Sequence, residues 1–435
     1  MKQTLLVALS ATFFAQAFIF PSYLCWMIFI FLIPLCWVVV HNQLVLSDAF
    51  VWSGLFVLQA YWALFSVIFR SGHATYKYGA LFSFYLYLTF YCALWLSGYI
   101  FIVRFISRPP LRLILLLLFC LLFFLMTPYI FCIFGLHTRN YFFNPLVCLA
   151  AHPHFLWAIS LLPEWILFLC LLCINGILFL IITKDWRYVA FLLMPAMPFI
   201  MGFAPKRVLA PEYDYSHIGF VSVPPYNNEC ALERAQTIIT SLLDYQEQNP
   251  TKKILLLPES TYPFALNNPA HVFFLEMLTY SLDDVFLLIG AHKRADGALT
   301  NCLYCIHDGR IMHDYDKKNL VPFFEYCAPI WNNTYCNKLF LNNKKEFSTS
   351  NKRGEAYFFI DNMKLYPYMC SEFFFEKHFS PHTIVVALIN DSWFCHGYFK
   401  KLLELLAIYR AIQYELTIFY CSYSTGEIVD KCKAN

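Results

Sequence analysis

The stretch KILLLPES, residues 253–260, is a continuous apolar run that ends in a proline and an acid. Such a run is typical of a strand that is buried on both faces of a sheet, and Pro258 ends it. One helical pattern, 230–248, precedes this run, and a second, 270–282, separates it from another apolar run at 285–292. This order predicts a layered α/β domain with buried strands and covering helices.

The same alternation continues towards the end of the chain. The apolar patterns and turn residues predict the following further elements: strands at 217–225, 301–307, 383–390 and 416–422, a hairpin formed by 355–360 and 364–370, and a helix at 398–415. About 230 residues are enough for one complete hydrophobic core. The water-soluble part of the chain is therefore expected to be one domain.

The chain as a whole is too apolar for a soluble protein, with 60% hydrophobic residues and a mean hydropathy of +0.54. Residues 1–205 contain nine Lys or Arg and only three acids, whereas 206–435 contain 22 basic and 25 acidic residues. This division predicts an all-α transmembrane bundle at 1–205 and a water-soluble α/β domain at 206–435. Neither part has the basic stripe that nucleic-acid binding requires.

The apolar part is long enough for several membrane crossings, because a helix needs about 20 apolar residues to cross the hydrocarbon core. The hydrophobic runs predict seven spans: 3–20, 22–41, 49–69, 79–104, 111–135, 155–183 and 187–203. Pro163 lies within the sixth run, which is therefore either one long helix or two tight helices together with the apolar stretch before it.

The loop charges predict the orientation of these spans. With the N-terminus inside, six basic residues face the cytoplasm (Lys2, Arg104, Arg108, Arg112, Lys184 and Arg187) and three face outwards (Arg70, Lys77 and Arg139). The positive-inside rule favours this arrangement. An odd number of spans then places 206–435 outside the cytoplasm, in the periplasm of a Gram-negative cell.

Three residues with reactive side chains lie where apolar strands end: Glu259, Lys317 and Cys370. A cysteine attacks as the thiolate, a carboxylate can accept its proton, and an ammonium group can stabilise the oxyanion that forms on an attacked carbonyl. Taken singly, each has an ordinary interpretation as a solvated acid, a surface lysine or a buried thiol. Together they form a complete set for acyl transfer.

Four sequence blocks carry a family resemblance. LLLPESTYPF (255–264), YDKKNLVPFFEY (315–326) and MCSEFFF (369–375) resemble, in order, the three motifs of the nitrilase (carbon–nitrogen hydrolase) superfamily, and LINDSWF (388–394) is similar to a further block. With the apolar bundle in front, they resemble the apolipoprotein N-acyltransferase family within it. The resemblance implies a transmembrane bundle followed by a nitrilase-like α-β-β-α sandwich domain.

The resemblance also assigns roles to residues. It implies that Glu259 is the general base, Lys317 the oxyanion-stabilising lysine and Cys370 the nucleophile. The family spacing selects Lys317 over its neighbour Lys318.

Three further residues match the family blocks in supporting positions. Glu325 matches a second carboxylate near the thiol, although a structural ion pair is an equally simple interpretation. Glu372 matches the acid two positions after the nucleophile, with a hydrogen bond to backbone as the ordinary alternative. Trp393 matches a wall of the substrate pocket, or packing alone.

The implied reaction transfers an acyl chain from a membrane phospholipid, through a cysteine thioester, to the N-terminal amine of a diacylated apolipoprotein. The resemblance implies a monomer in the bacterial inner membrane that needs no cofactor. No metal site is expected either, because no second cysteine pair at zinc spacing follows Cys302 and Cys305.

Two other functions are also consistent with the residues. The first is a membrane-tethered amidase of the same superfamily, in which water replaces the lipoprotein amine. The second is a degenerate member that only binds lipid. Phe324 and Ser371 replace a glycine and a tyrosine of the family pattern, and the sequence ends at Asn435 without the family's last membrane helix.

Overall fold

The structure is a computed structural model of the full chain. It describes residues 2–41, 43–61, 74–127, 144–185, 189, 192–193, 214–295, 298–320, 357–360, 362–374, 380–393 and 397–430. The chain forms two compact units, of which the first contains Met1–Phe131, Arg139–Arg207 and Phe394–Tyr409, and the second contains Cys132–Thr138, Val208–Trp393 and Arg410–Asn435. The predicted domain boundary at 205/206 lies outside the described residues and stays a prediction.

The first unit is helical. Its described helices are α1 (Lys2–Ile19), α2 (Pro21–Leu24), α3 (Leu32–Val40), α4 (Leu46–Tyr61), α5 (Ala74–Val103), α6 (Pro109–Met126), α7 (Pro153–Leu161) and α8 (Glu164–Ile182), with 3₁₀ turns at Cys25–Phe29 and Pro145–Ala151.

Within the described residues, five helical stretches are long and apolar enough to cross a membrane: Lys2–Ile19, Pro21–Val40, Tyr85–Val103, Pro109–Met126 and Glu164–Ile182. Each coincides with a predicted span. The predicted span 49–69 begins as α4, which is shorter, and most of 187–203 lies outside the described part of the chain. The total of seven spans therefore stays a prediction.

The predicted span 155–183 consists of two helices rather than one, which is the alternative that Pro163 left open. The structure divides it into α7 and α8, with Pro163 between them at φ −54° and ψ 145°. Proline has no N–H to donate, and its ring clashes with the carbonyl of the preceding turn, so a new helix starts directly after it. The membrane-length helix in this region is Glu164–Ile182 alone.

The second predicted span, 22–41, contains a break that a neighbouring side chain fills. In a regular helix the N–H of Leu32 would donate to the carbonyl of Ile28. Here the Asn175 side chain lies between them: its Nδ2 donates to the Ile28 carbonyl at 3.0 Å and its Oδ1 accepts from the Leu32 N–H at 3.0 Å. Ile28, Leu32 and Asn175 are all buried, so the Asn175 side chain satisfies two backbone groups inside the helical unit.

Replacement of Asn175 by leucine should therefore destabilise the first unit. The variant Asn175→Leu leaves the Ile28 carbonyl and the Leu32 N–H without this partner, at an expected cost of about 1–3 kcal/mol each. Thermal unfolding of the full chain in detergent measures this as a lower Tm. The control Ile181→Ala changes a half-exposed residue of the same helix, and a Tm as low as that of Asn175→Leu would contradict the explanation.

The second unit contains strands and helices in alternation. Its described strands are β1 (Ile218–Phe220), β2 (Ile254–Leu256), β3 (Tyr262–Ala265), β4 (Phe286–Ala295), β5 (Ala298–His307), β6 (Arg310–Asp316), β7 (Phe358–Ile360), β8 (Met363–Met369), β9 (Ile384–Leu388), β10 (Thr417–Cys421) and β11 (Gly426–Val429). Its helices are α9 (Ala231–Gln248) and α10 (Val272–Ser281), and α11 (Gly397–Gln413) connects β9 to β10.

These strands form two sheets. The first has the order β1-β2-β4-β5-β6, with β3 paired to β4, and the second has the order β11-β10-β9-β8-β7. β1, β2 and β4 are parallel neighbours, as are β8, β9 and β10. The predicted hairpin exists as the antiparallel pair β7–β8.

The ILLL run owes its continuous apolar character to burial on both faces of the first sheet. Leu255 and Leu257 pack with Ile238 and Leu242 of α9 in one core. Ile254 and Leu256 pack on the opposite face, in a second core that also contains residues of β8, β9 and β10. The two sheets therefore face each other, with α9 and α10 on the outer face of the first. The predicted class, apolar helices followed by a layered α/β domain, is confirmed.

Candidate active site

Glu259 lies in a tight turn directly after β2. Ser260 has a left-handed φ of +56°, and the Thr261 hydroxyl closes the turn by donating to the Pro258 carbonyl at 2.7 Å. Gly290 of β4 lies against this turn, where a Cβ would come within 2.7 Å of both the Glu259 Cα and the Ser260 N. The turn can lie this close to β4 only because residue 290 has no side chain.

Lys317 follows β6 and makes a buried ion pair with Glu259. Its Nζ lies 2.8 Å from Glu259 Oε1, and the two residues are only 1% and 3% exposed. The Lys317 backbone N–H donates to the Asn301 carbonyl at 2.8 Å, which fixes the chain at this point. Because both charges are removed from water, each is held in place by the other.

Asn301 makes a further contact that the sequence did not predict. Its Nδ2 donates to Glu259 Oε1 at 2.8 Å, so the same carboxylate oxygen accepts from an ammonium and from an amide. The sequence feature that could have identified Asn301 is that it is a lone amide in the apolar strand 301–307. That signal is weak, because only the pairing of β4 with β5 brings this residue to Glu259.

Cys370 is the first residue after β8, and its backbone is strained. Its φ is +39°, a left-handed conformation that costs a non-glycine residue about 1–3 kcal/mol. The thiol-bearing residue is partly exposed, in contrast to the buried Cys302, Cys305 and Cys421. Strain of this kind persists only where surrounding contacts impose it, and it is common in active sites.

Glu372 supplies the contacts that hold the Cys370 segment. Its Oε2 accepts from the Met369 N–H at 2.9 Å, and its Oε1 accepts from the Lys318 N–H at 2.8 Å and the Tyr315 hydroxyl at 2.8 Å. A longer bond of 3.4 Å comes from the Asn319 N–H. One buried carboxylate therefore joins the end of β8, which carries the cysteine, to the end of β6, which carries Lys317.

Burial raises the pKa of Glu372 above its usual value of 4.5. The backbone N–H groups of Lys318 and Met369, the Tyr315 hydroxyl and the positive charge of Lys317 act in the opposite direction, because they stabilise the ionised form. The effect of desolvation on the pKa is larger than these opposing effects, because the carboxyl group is almost completely buried.

The structure brings some of the predicted residues together. Glu259 and Lys317 are in direct contact, and Glu372 joins the segments of Lys317 and Cys370. Glu325 lies outside the described residues. Trp393 ends a short 3₁₀ turn after β9, and its side chain lies outside the described part. The catalytic roles of these residues remain predictions.

Among the residues that the structure describes, a cluster of metal-binding residue types lies next in sequence to Asn301 and Lys317. Ligand atoms of Cys302, Asp314 and Asp316 lie within 4.8 Å of one another. The Lys293 ammonium donates to both carboxylates, at 3.2 Å in the case of Asp316, and burial raises the pKa of the Cys302 thiol, so it stays protonated. These contacts explain the cluster as an ion pair between Lys293 and the two carboxylates of Asp314 and Asp316.

The solved structures that are similar to this chain include a nitrilase-superfamily protein and a carbon–nitrogen hydrolase. A Saccharomyces cerevisiae member of branch 10 of that superfamily has 12% identity and a TM-score of 0.35, and the match covers 49% of this chain and 81% of that one. A carbon–nitrogen hydrolase from Helicobacter pylori G27 has 13% identity and a TM-score of 0.33, covering 48% and 74% respectively. No family model matches the chain.

Curated relatives carry a more specific name, apolipoprotein N-acyltransferase. The protein of that name from Campylobacter jejuni is 27% identical over 184 residues, which cover 42% of this chain and 40% of the relative. The one from Wolinella succinogenes is 30% identical over 176 residues, covering 39% and 41%. The chain thus matches about two fifths of the length of these relatives. The resemblance predicted from the sequence blocks is confirmed by these relatives.

The close approach of Gly290 to the Glu259 turn can be tested by adding one methyl group. In Gly290→Ala the new Cβ meets backbone atoms of Glu259 and Ser260 that cannot move aside as a side chain would. We expect an overpacking cost of about 1–3 kcal/mol in the unfolding free energy of the full chain. The matched control is Gly397→Ala, whose Cβ would meet nothing within 4 Å. Equal unfolding free energies for the two variants would contradict the close approach.

The raised pKa of Glu372 predicts a pH-dependent stability. The folded carboxyl group binds its proton more tightly than the unfolded one, so the unfolding free energy falls as pH rises from 4.5 through the folded pKa. Glu372→Gln removes this dependence. It also costs about 1–3 kcal/mol, because the amide NH₂ faces the Met369 N–H.

Denaturant unfolding of both proteins at a series of pH values checks this prediction. The stability advantage of the native chain over Glu372→Gln should grow as the pH falls through the window above 4.5. Unfolding free energies of the two proteins that differ by the same amount at every pH in this window would contradict a raised pKa for Glu372.

Proposed function

We propose that this chain transfers an acyl chain from a membrane phospholipid to the N-terminal amine of a diacylglyceryl-modified lipoprotein, through a thioester at Cys370. The curated relatives support lipoprotein N-acylation by their names. The observation that carries the proposal is the buried Glu259–Lys317 pair, joined to the Cys370 segment through Glu372.

The first half-reaction uses the three residues in distinct roles. Glu259 accepts the proton of the Cys370 thiol, and the thiolate attacks the ester carbonyl of the phospholipid. Lys317 stabilises the negative charge that forms on the carbonyl oxygen. The bond from the carbonyl carbon to the glycerol oxygen then breaks, and Glu259 returns its proton to that oxygen. A lysophospholipid leaves, and the acyl chain remains on the cysteine sulfur.

The second half-reaction reverses these proton transfers. The neutral amine of the lipoprotein attacks the thioester carbonyl, and Glu259 accepts a proton from the amine nitrogen as the new bond forms. The carbon–sulfur bond breaks, the acyl chain becomes an amide, and the proton passes to the departing thiolate. Cys370 is restored without any redox step or external cofactor.

The setting that we propose is the bacterial inner membrane, with the second unit on the periplasmic side. The five helices of membrane-crossing length support a membrane location, and the excess of basic residues in predicted cytoplasmic segments supports the orientation. Donor and acceptor are both lipid-anchored, so a membrane-embedded enzyme would meet them in two dimensions.

Intact-protein mass spectrometry tests the first half-reaction. After incubation of the full chain with phospholipid, we expect a mass gain of one acyl chain that hydroxylamine removes, since hydroxylamine cleaves thioesters. Cys370→Ala should show no adduct. Glu259→Gln should form it about 10²–10⁴ times more slowly, as expected for the loss of a general base.

A matched control separates a catalytic thioester from chance acylation. Cys230 is exposed, so Cys230→Ala should retain the full adduct. A folded native chain that forms no adduct would overturn the phospholipid donor. If the adduct forms but decays to free fatty acid, and no acyl chain reaches a synthetic diacylglyceryl-cysteine peptide, the chain is a hydrolase and the acceptor assignment is wrong.

A further inference from the structure

We infer that Arg234, a residue of helix α9 outside the four family blocks, is a positioning residue that holds the Glu259 turn in its active geometry. The inference rests on the proposed role of Glu259 as general base. It does not depend on the identity of the acyl donor or acceptor.

Arg234 contacts the turn directly. Its guanidinium Nε donates to the Thr261 carbonyl at 2.7 Å, and Thr261 in turn closes the turn through its hydroxyl bond to the Pro258 carbonyl at 2.7 Å. The residue is 0% exposed, which is exceptional for an arginine. Through these two bonds a buried cation fixes the backbone on the far side of the left-handed Ser260.

The helix that carries Arg234 is a rigid base for this contact. Glu233 and Cys230 cap its N-terminus reciprocally, and the residues that follow Arg234 on the same face, Ala235 and Ile238, are fully buried in the core. The guanidinium is therefore attached to a fixed backbone, and it bonds Thr261, which lies 27 residues further along the chain. Such a contact fixes the turn relative to the sheet.

The charge of Arg234 is only partly compensated. Glu229 lies 3.5 Å from its Nη1, and Nη2 is buried without a hydrogen-bond partner in the structure as described. Burying an arginine in this way costs free energy, so packing alone does not explain the residue. The hydrogen bond from Arg234 to the Glu259 turn explains why an arginine is buried here.

Tyr423 places this guanidinium in the electrostatic surroundings of Glu259. Burial raises the pKa of Tyr423 to about 12, and the positive charge of Arg234 opposes that rise, while the negative charge of Glu259 adds to it. The pKa of the Tyr423 phenol thus depends on both charges. Both charges therefore act on the Tyr423 side chain, in opposite directions.

The test measures the reactivity of Cys370 without any lipid substrate. The rate of its alkylation by iodoacetamide is followed against pH in the full chain, and the peptide that contains Cys370 is quantified by mass spectrometry. If Glu259 accepts the thiol proton, Glu259→Gln shifts the pH–rate profile, because the acid limb that follows the ionisation of Glu259 disappears, and the rate at neutral pH falls. If Arg234 positions Glu259, Arg234→Gln changes the profile in the same way, with a fall of about tenfold in rate at neutral pH.

Three further variants make the result decisive. Arg234→Lys keeps the charge but lacks the Nε–H, so it should also shift the profile. The double variant Arg234→Gln/Glu259→Gln should behave like Glu259→Gln alone, because the two residues act through one group. Leu242→Ala is the control, since it opens the same helix–sheet core without touching the turn and should keep the native profile.

The outcomes separate the two proposals. If Glu259→Gln shifts the profile and neither Arg234 variant shifts it more than Leu242→Ala, the positioning role is wrong and the base assignment stands. Additive shifts in the double variant would also overturn the positioning role. If Glu259→Gln leaves the profile unchanged, the base assignment is wrong and the role of Arg234 is overturned with it.

Discussion

The geometry of the candidate site depends on one buried carboxylate, that of Glu372. It accepts hydrogen bonds from Met369 on one side and from Tyr315 and Lys318 on the other. Met369 ends a strand of the second sheet, and Tyr315 belongs to the last strand of the first sheet. This carboxylate therefore links the cysteine segment to the lysine that follows β6.

The arrangement of charges explains why this centre can be buried. Lys317 lies in contact with Glu259, and its charge also acts on Glu372. A cation that acts on two carboxylates lowers the cost of removing all three groups from water, provided that the remaining polar atoms are bonded. The Asn301 amide and the backbone N–H groups meet that condition. In such a low-dielectric centre a lysine stabilises a developing oxyanion more strongly than it would in water.

The sequence predicted the strands and the ends of strands well, because both leave local signals. The ILLL run, Pro258 and the following acid identify a strand end without reference to the rest of the chain. No such local signal identifies Asn301 or Arg234. The role of a single amide in a strand, or of a single arginine in a helix, depends on which residues the tertiary fold brings next to it. The break at Pro163 was visible as a residue type, but the Asn175 contact that fills the break before Leu32 was not.

The two reactive segments share one construction. Glu259 is followed by the left-handed Ser260, and Cys370 is itself left-handed, so both lie in turns that are costly for residues with a side chain. In each case a buried charged side chain bonds the backbone next to the strained residue: Arg234 at Thr261, and Glu372 at Met369. The strain is therefore offset by charged groups that need not touch a reacting atom. It follows that the geometry of both segments depends on buried charged side chains other than those of Glu259, Lys317 and Cys370.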